Sequence, residues 1–201
     1  MMTNPILPIL NDEQIQRFNT IAKLGADRAA ESLAKWIRTG IVTSSVKAGV
    51  MHYSKLPELS PSSDGLSTAI LVRISGSVSG YLALILDEIS TKYILSRILR
   101  RDMDTLPEWD NLSRSVMEET GNIIGASFVN SLAMNPGLDI HPSSPVMAYD
   151  FPDALWDTLV TQYALEGEYA LSCHITFNSP DNSICGIFSV ISDDLQTWKT
   201  L

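Results

Sequence analysis

The stretch Ala69-Ile-Leu-Val-Arg-Ile-Ser75-Gly76-Ser77-Val-Ser-Gly80-Tyr-Leu-Ala-Leu-Ile85 contains two apolar runs separated by a short polar turn. Branched and aromatic residues favour strands, and glycine and serine favour the turn between them, so the stretch predicts a β-hairpin. A second pattern of this kind covers Tyr169 to Ile191, with its polar turn at Asn178 to Asn182. The chain therefore has two related hairpins.

The residues before each hairpin are also related. Ser32-Leu33-Ala34 recurs as Ser131-Leu132-Ala133, an offset of 99 residues, and the offset reaches 106 between Gly80 and Gly186. Loop insertions account for such growth, because loops tolerate added residues better than helices or strands do. The sequence therefore predicts an internal repeat.

Each copy of the repeat predicts a long helix, an extended strand and then the hairpin. We expect α+β architecture in a single domain, 1–201, made of two pseudo-symmetric halves at about 12–101 and 108–192, neither of which folds alone. The predicted helices are Asp12 to Thr39, Asp87 to Arg101 and Glu108 to Met134, and the extended strands are Ile41 to Tyr53 and Leu138 to Tyr149.

Two shorter segments carry predictions of their own. Ile89, Tyr93, Ile94 and Ile98 lie at helical spacing, which predicts that they form a buried stripe. The stretch Pro57 to Gly65 is rich in proline and serine and predicts an exposed loop.

Composition excludes several classes of protein. The chain of 201 residues is 45% hydrophobic and 18% charged, which is typical of a globular protein with a substantial core. The net charge of -9, without a large basic cluster, argues against a nucleic-acid partner. No apolar stretch is long enough to span a membrane, and the first ten residues do not resemble a signal peptide. We therefore expect a cytoplasmic protein, in which Cys173 and Cys185 are free, buried thiols.

The segment Ser115-Val-Met-Glu-Glu119-Thr-Gly-Asn122-Ile-Ile-Gly-Ala126 contains the main candidates for chemistry. At about 100° per residue, a helix places Ser115, Glu119 and Asn122 on one strip about 60° wide. By spacing alone, such a strip is most often a solvated helix face. Gly121 and Gly125 each cost up to about 1 kcal/mol relative to alanine. Two such glycines predict that a packed neighbour or a docking partner comes close to the helix backbone.

This segment resembles the CheC, CheX and FliY phosphatases of chemotaxis, whose motif is Asp or Ser, three residues, Glu, two residues, Asn, about 22 residues, then Pro. Ser115, Glu119 and Asn122 match the motif, and Pro145 stands 22 residues after Asn122. The chain length and the helix-strand-hairpin repeat resemble the CheC branch. The resemblance therefore covers nearly the whole chain.

The resemblance implies a phosphatase that hydrolyses the aspartyl phosphate of a CheY-like response regulator. It assigns the catalytic role to Asn122, which positions the attacking water, and to Glu119, which pairs with a lysine of the regulator. Ser115 and Pro145 support the motif. The enzyme needs no cofactor or metal of its own, because Mg²⁺ is held by the regulator.

The first copy of the repeat departs from the motif. Aligning Leu33 with Leu132 places Gln16, Thr20 and Lys23 at the positions of Ser115, Glu119 and Asn122, with Val46 in place of the proline. An ammonium group donates hydrogen bonds but cannot accept them, so Lys23 cannot orient a water as an amide does. We therefore expect one intact site and one degenerate site.

Other titratable groups favour structural roles. His52, His141 and His174 lack the spacing of metal ligands, and we expect no metal site. The acidic run Asp102, Asp104, Glu108 and Asp110 precedes a predicted helix, where carboxylates cap the helix start.

One alternative function belongs to a different class. Relatives of the proteins that this chain resembles also serve in the flagellar switch as FliM- or FliY-like scaffolds. The CheC proteins that it resembles bind the receptor deamidase CheD. The chain could thus be a non-catalytic binding module. The intact second motif favours the enzyme, because drift would not be expected to keep all four positions in one half and lose all four in the other. A homodimer like that of CheX is a further alternative, although CheX chains are shorter.

Overall fold

The computed structural model describes residues 10–59, 65–105, 109–134, 137–163, 169–180, 184–192, 194 and 197–200. Helices and strands follow one another in the order that the repeat predicts, with one further helix. Their bounds are α1 Asp12–Ile37, β1 Val42–His52, β2 Ser67–Gly76, β3 Gly80–Asp87, α2 Glu88–Leu99, α3 Asn111–Leu132, β4 Ile140–Pro142, β5 Val146–Asp150, α4 Pro152–Tyr163, β6 Tyr169–Asn178 and β7 Cys185–Ser192.

Side-chain caps define where the main helices begin. Asn11 and Gln14 form a reciprocal capping box at the start of α1, because the side chain of each accepts the backbone N–H of the other. Asp87 and Asp110 accept backbone N–H groups at the starts of α2 and α3. The acidic run before α3 therefore contains a capping residue, as predicted for Asp110; Glu108 lies outside the described residues.

The strands form one seven-stranded sheet in the order β1-β6-β7-β3-β2-β4, with β5 also paired to β2. All of the pairs are antiparallel. The extended strand of each half pairs with the hairpin of the other half, and the two hairpins meet through β3 and β7 at the centre. The predicted α+β fold of two pseudo-symmetric halves is confirmed.

The register of the sheet follows the offsets that the sequence shows. Ala83 pairs with Ser189, 106 residues later, and the pairs on either side of this one are symmetric about it. The local twofold axis therefore passes through this pair. Thr43 and Pro142, which are 99 residues apart, each pair with the hairpin strand of the opposite half, and Lys47 and Val146 do the same four residues further along.

The sheet separates two apolar cores. Helices α1, α2 and α3 cover one face, with Phe18, Phe128 and Phe188 among the fully buried residues of the larger core. On the other face, α4 and a 3-10 helix, Tyr53–Leu59, bury a smaller core that includes Trp156 and Leu56. The fold thus has three layers.

The structure corrects several predictions. Helix α4 was not predicted, and it occupies the face opposite α1–α3. The predicted loop from Pro57 begins inside the 3-10 helix, and 60–64 lie outside the described residues. The predicted strand from Leu138 to Tyr149 divides into β4 and β5. Ile89 is 65% exposed, whereas Ile94 of the same stripe is buried, because the first turn of α2 packs through Ser90 and Thr91 instead.

The two cysteines occupy different positions along the hairpin β6–β7. Cys173 pairs with Val190 and Cys185 with Asn178, so the two residues do not lie opposite each other. Cys173 is a buried free thiol, and burial raises its pKa to about 12. A search of the described helices finds none long and apolar enough to cross a membrane.

Candidate functional site

The predicted strip on α3 is exposed to solvent. Ser115, Glu119 and Asn122 all lie on the outer face of the helix, which begins at the Asp110 cap. The amide Nδ2 of Asn122 donates to Oε2 of Glu119 over 3.4 Å, and the Ser115 hydroxyl donates to the carbonyl oxygen of Asn111 over 2.9 Å. The strip thus offers an amide, a carboxylate and a hydroxyl on one accessible surface.

The two glycines of α3 bring the helix close to the sheet. A Cβ atom at Gly121 would lie 2.2 Å from the Cγ2 atom of Ile70, and one at Gly125 would lie 3.3 Å from that of Val72. Both neighbours belong to β2 and are buried. The sequence predicted that either a packed neighbour or a docking partner comes close to these glycines. The structure shows a packed neighbour, strand β2.

Hydrogen bonds to α1 hold α3 from the side. The indole Nε1 of Trp36 donates to Oγ1 of Thr120 over 3.0 Å, and Thr120 in turn donates to the carbonyl oxygen of Val116. The hydroxyls of Ser127 and Ser32 lie 2.7 Å apart. Because α3 is fixed by β2 below and by α1 beside it, the side chains of the strip project from a rigid support.

Pro145 lies in a break of the edge strand beside α3. The pairing with β2 stops after Pro142 and resumes at Val146, so three residues of the edge stand opposite two of β2. The Ser143 hydroxyl accepts the backbone N–H of Arg73 over 3.0 Å. A proline suits such a bulge because it has no N–H to contribute to the ladder. Helix α3 packs against both β4 and β5.

The first half presents a different surface at the equivalent positions. Thr20 and Lys23 are exposed on α1, where Lys23 forms an ion pair with Asp27 at 2.9 Å and the Thr20 hydroxyl donates to the carbonyl oxygen of Gln16. Val46 pairs with Ile175 just after a register shift between Thr43 and Ser45, so β1 has a bulge at the equivalent place, but Val46 remains in the ladder. Thr43 and Pro142 occupy equivalent places in the register. Val46 follows Thr43 by as many residues as Pro145 follows Pro142, so Val46 stands where Pro145 does.

An exposed leucine, which the sequence argument did not single out, extends the strip. Leu112 is 49% exposed in the first turn of α3. It stands three residues before Ser115 and seven before Glu119, and these spacings place it on the same side of the helix. That periodicity was the signal from which it could have been found.

The other polar groups weighed from the sequence make local contacts. The backbone N–H of Ser113 lowers the pKa of Asp110, which fits a helix cap. His141 contacts Asp139 at the surface, and His52 contacts Ser54. Within the described ranges, no three His, Cys, Asp or Glu side chains come together as a metal site would require.

Sequence comparison finds a curated relative. No family model matches the chain. The chain is 22% identical over 165 residues to a Bacillus subtilis protein named CheY-P phosphatase CheC. The match covers 81% of this chain and 78% of that protein, so it includes both halves of the repeat.

Solved structures share the fold at low sequence identity. FliY of Thermotoga maritima has a TM-score of 0.71 at 18% identity and covers 96% of this chain and 98% of its own. CheX in a CheX–CheY–BeF₃–Mg²⁺ complex from Borrelia burgdorferi has a TM-score of 0.54 at 18% identity, covering 84% and 95%. A FliG–FliM complex from H. pylori gives 0.64 at 12%, covering 96% and 100%. At these identities the likeness establishes the fold.

Proposed function

We propose that this chain, a member of the CheC-like family of chemotaxis proteins, hydrolyses the aspartyl phosphate of a CheY-like response regulator. The sequence match to a CheY-P phosphatase extends over both halves of the fold. The observation that carries the proposal is the exposed pair Glu119 and Asn122 on a rigidly held helix, with Pro145 in the neighbouring edge strand.

Asn122 is proposed to position the attacking water. An aspartyl phosphate is already activated and coordinated to the regulator's own Mg²⁺, so the phosphatase need not bring a metal or a nucleophile. A loose transition state for phosphoryl transfer needs mainly a water held in line with the breaking bond. An amide can accept one hydrogen of that water and donate to a phosphoryl oxygen, because it carries both donor and acceptor groups.

Glu119 is proposed to dock the two proteins. It lies one helical turn before Asn122. Its carboxylate is exposed to solvent and, among the described residues, accepts the long hydrogen bond from the Asn122 amide. A lysine at the regulator's phosphate site would pair with this carboxylate and draw it away. The amide would then be released to face the phosphorus, so docking and alignment would occur together.

The other motif residues have supporting roles in this proposal. Ser115 lies nearest the N-terminus of α3 and can hydrogen-bond at the edge of the contact. Leu112 adds an apolar contact beyond it. The bulge at Pro145 keeps the edge strand from pairing with further chains at this point and leaves room beside α3 for a partner.

The first half is proposed to have no part in catalysis. Thr20 carries no charge with which to meet a lysine, and Lys23 is held by Asp27 and offers only donors. The pseudo-twofold axis therefore relates one active surface to one inactive surface.

A binding module is the second candidate function. The specific observation in its favour is the fold shared with FliM, which was solved in complex with FliG. In that case, Glu119 and Asn122 would contribute only to contact with a partner, such as CheD or a component of the flagellar switch. Phosphate turnover distinguishes the two candidates, because a binding module would not accelerate it.

The direct test uses a response regulator from the same genome. The regulator is phosphorylated with a small-molecule phosphodonor, the donor is removed, and loss of phosphate is followed with and without the chain. The phosphatase proposal predicts catalytic acceleration at substoichiometric amounts of the chain. Slower loss of phosphate, or no change, would instead indicate a module that binds or ignores the phosphorylated form.

A further inference from the structure

The sheet face opposite α1, α2 and α3 carries a polar row that runs from β1 of the first half to β6 and β7 of the second. Lys47, His174 and Ser189 are directly paired across three adjacent strands, β1, β6 and β7. Residues directly opposite each other in an antiparallel sheet project from the same face, with Cβ atoms about 4.5–5.5 Å apart. A cation, an imidazole and a hydroxyl thus lie side by side.

The row that the pseudo-twofold axis relates to this one is apolar. Val146, Leu71 and Ala83 occupy the equivalent positions on β5, β2 and β3. Leu155 and Leu159 of helix α4 line a pocket together with these residues, of which Ala83 is buried and Val146 is 61% exposed. The two halves have therefore diverged on this face, one toward a packed core and the other toward polar groups.

An open cavity of about 400 Å³ lies over the polar row. Lys47, His174 and Ser172 supply its polar lining, and Met51 and Ile187 supply apolar lining. Small-molecule sites commonly have volumes of about 300–1,000 Å³ and combine an apolar wall with a few polar groups. The size and lining of this cavity are of that kind.

Two polar atoms beside the cavity have no partner among the described residues. These are Nδ1 of His174 and Oγ of Ser189, both of which are inaccessible to solvent. Buried polar groups normally have a hydrogen-bond partner, and a missing one costs about 1–3 kcal/mol. Burial, and then the nearby charge of Lys47, lower the pKa of His174.

We propose that this cavity binds a small organic molecule through its oxyanion, a phosphate or a carboxylate, held between Lys47 and His174. No carboxylate of the described residues lies within ion-pair distance of Lys47. The one acidic group in the lining is Glu58, whose charge is met by Lys55. Because Nδ1 of His174 is inaccessible to solvent, a bound anion accepts its hydrogen bond from Nε2 of that ring and neutralises Lys47, while Met51 and Ile187 contact the organic part.

This site lies on the other side of the sheet from α3 and is independent of the proposed phosphatase activity. A metal ion would not suit it, because Lys47 repels cations and His174 is the only nitrogen ligand in the lining. The proposed ligand would stabilise the folded chain, because it would fill space beside the smaller core.

The test follows the three histidine rings by NMR while the full chain is titrated with inorganic phosphate, phenyl phosphate or benzoate. A bound anion favours the charged imidazole, so the pKa of His174 should rise by about one unit. His52 and His141 are internal controls and should not move. Phenyl phosphate binding more tightly than benzoate identifies a phosphate site, and the reverse order a carboxylate site. Inorganic phosphate tests whether the oxyanion binds without an organic part.

Variants make the result specific. Lys47→Ala should weaken binding at least tenfold, whereas Lys92→Ala, a matched exposed lysine on α2, should leave it unchanged. Lys47 is exposed, so its truncation should leave the fold intact, and unchanged spectra of the other two histidine rings would verify this. The proposal is overturned if no probe produces a saturable shift of His174 at 20-fold excess, or if the shift survives Lys47→Ala unchanged.

Discussion

Replacing Gly121 by alanine should destabilise the fold, although alanine is the better helix former. The new Cβ atom would lie 2.2 Å from the Cγ2 atom of Ile70, a branched side chain that is only 1% exposed and cannot swing away. Overpacking of this kind costs about 1–3 kcal/mol. Alanine recovers about 1 kcal/mol in helix propensity, so the net loss should reach up to about 2 kcal/mol.

Gly125→Ala is the matched control for this change. Its Cβ would lie 3.3 Å from Val72, so a shift of a few tenths of an ångström removes the overlap. The helix-propensity gain of about 1 kcal/mol should then offset or exceed the strain, and stability should be unchanged or higher. Both variants are measured by urea denaturation, with the free energy of unfolding compared at equal m-value.

A double-mutant cycle identifies the contact responsible. Ile70→Ala removes the methyl group that obstructs Gly121→Ala, so the two changes together should cost less than the sum of each alone, by about 1 kcal/mol or more. Equal stability of Gly121→Ala and Gly125→Ala, or strict additivity with Ile70→Ala, would refute the view that α3 is seated on β2 through its glycines.

Three further predictions concern single side chains. Glu119→Ala should lower both affinity for the phosphorylated regulator and turnover, most strongly at low salt, whereas Glu118→Ala should do neither; normal binding and turnover at low salt would exclude the proposed pairing. Lys23→Ala should leave turnover within about twofold, because its surface ion pair contributes little; a larger loss would overturn the single-site model. The folded-state pKa of Asp110 is lowered, so its cap stabilises the fold above the unfolded pKa of about 4 and loses that effect as pH falls through the folded value. Asp110→Ala should therefore lower the melting temperature at pH 7 more than at pH 2.5, and an equal decrease at both would show that the carboxylate is not the cause.

The repeat made most of the fold predictable. Glycine- and serine-containing turns marked both hairpins, and the offsets of 99 and 106 residues recur in the strand register, for example in the pair Ala83 and Ser189. Helix periodicity also placed the three polar residues of α3 on one face. Turns and helix periodicity are local patterns, and the repeat shows in the order of residue types along the chain, which is why the sequence could reveal all three.

Two features were not predicted, for different reasons. Helix α4 has no helical counterpart of its length in the first half, where the 3-10 helix stands, so reasoning from the repeat passed over it. Its local signals were present, since Pro152 begins the helix and Leu155, Trp156 and Leu159 form its buried stripe. Glycine is needed at position 121 because Ile70 packs against it. Ile70 is 51 positions away in the sequence, and no local pattern identifies this contact.

The most direct test of the proposed function compares wild type, Asn122→Ala and Asn130→Ala in the phosphate-loss assay. Asn130 is an exposed asparagine of the same helix about two turns beyond Asn122, and it is the matched control. Positioning a water contributes several kcal/mol at most. Asn122→Ala should therefore reduce turnover close to the regulator's own slow hydrolysis while still binding the phosphorylated regulator, and Asn130→Ala should behave as wild type. Near-wild-type turnover by Asn122→Ala would contradict the account.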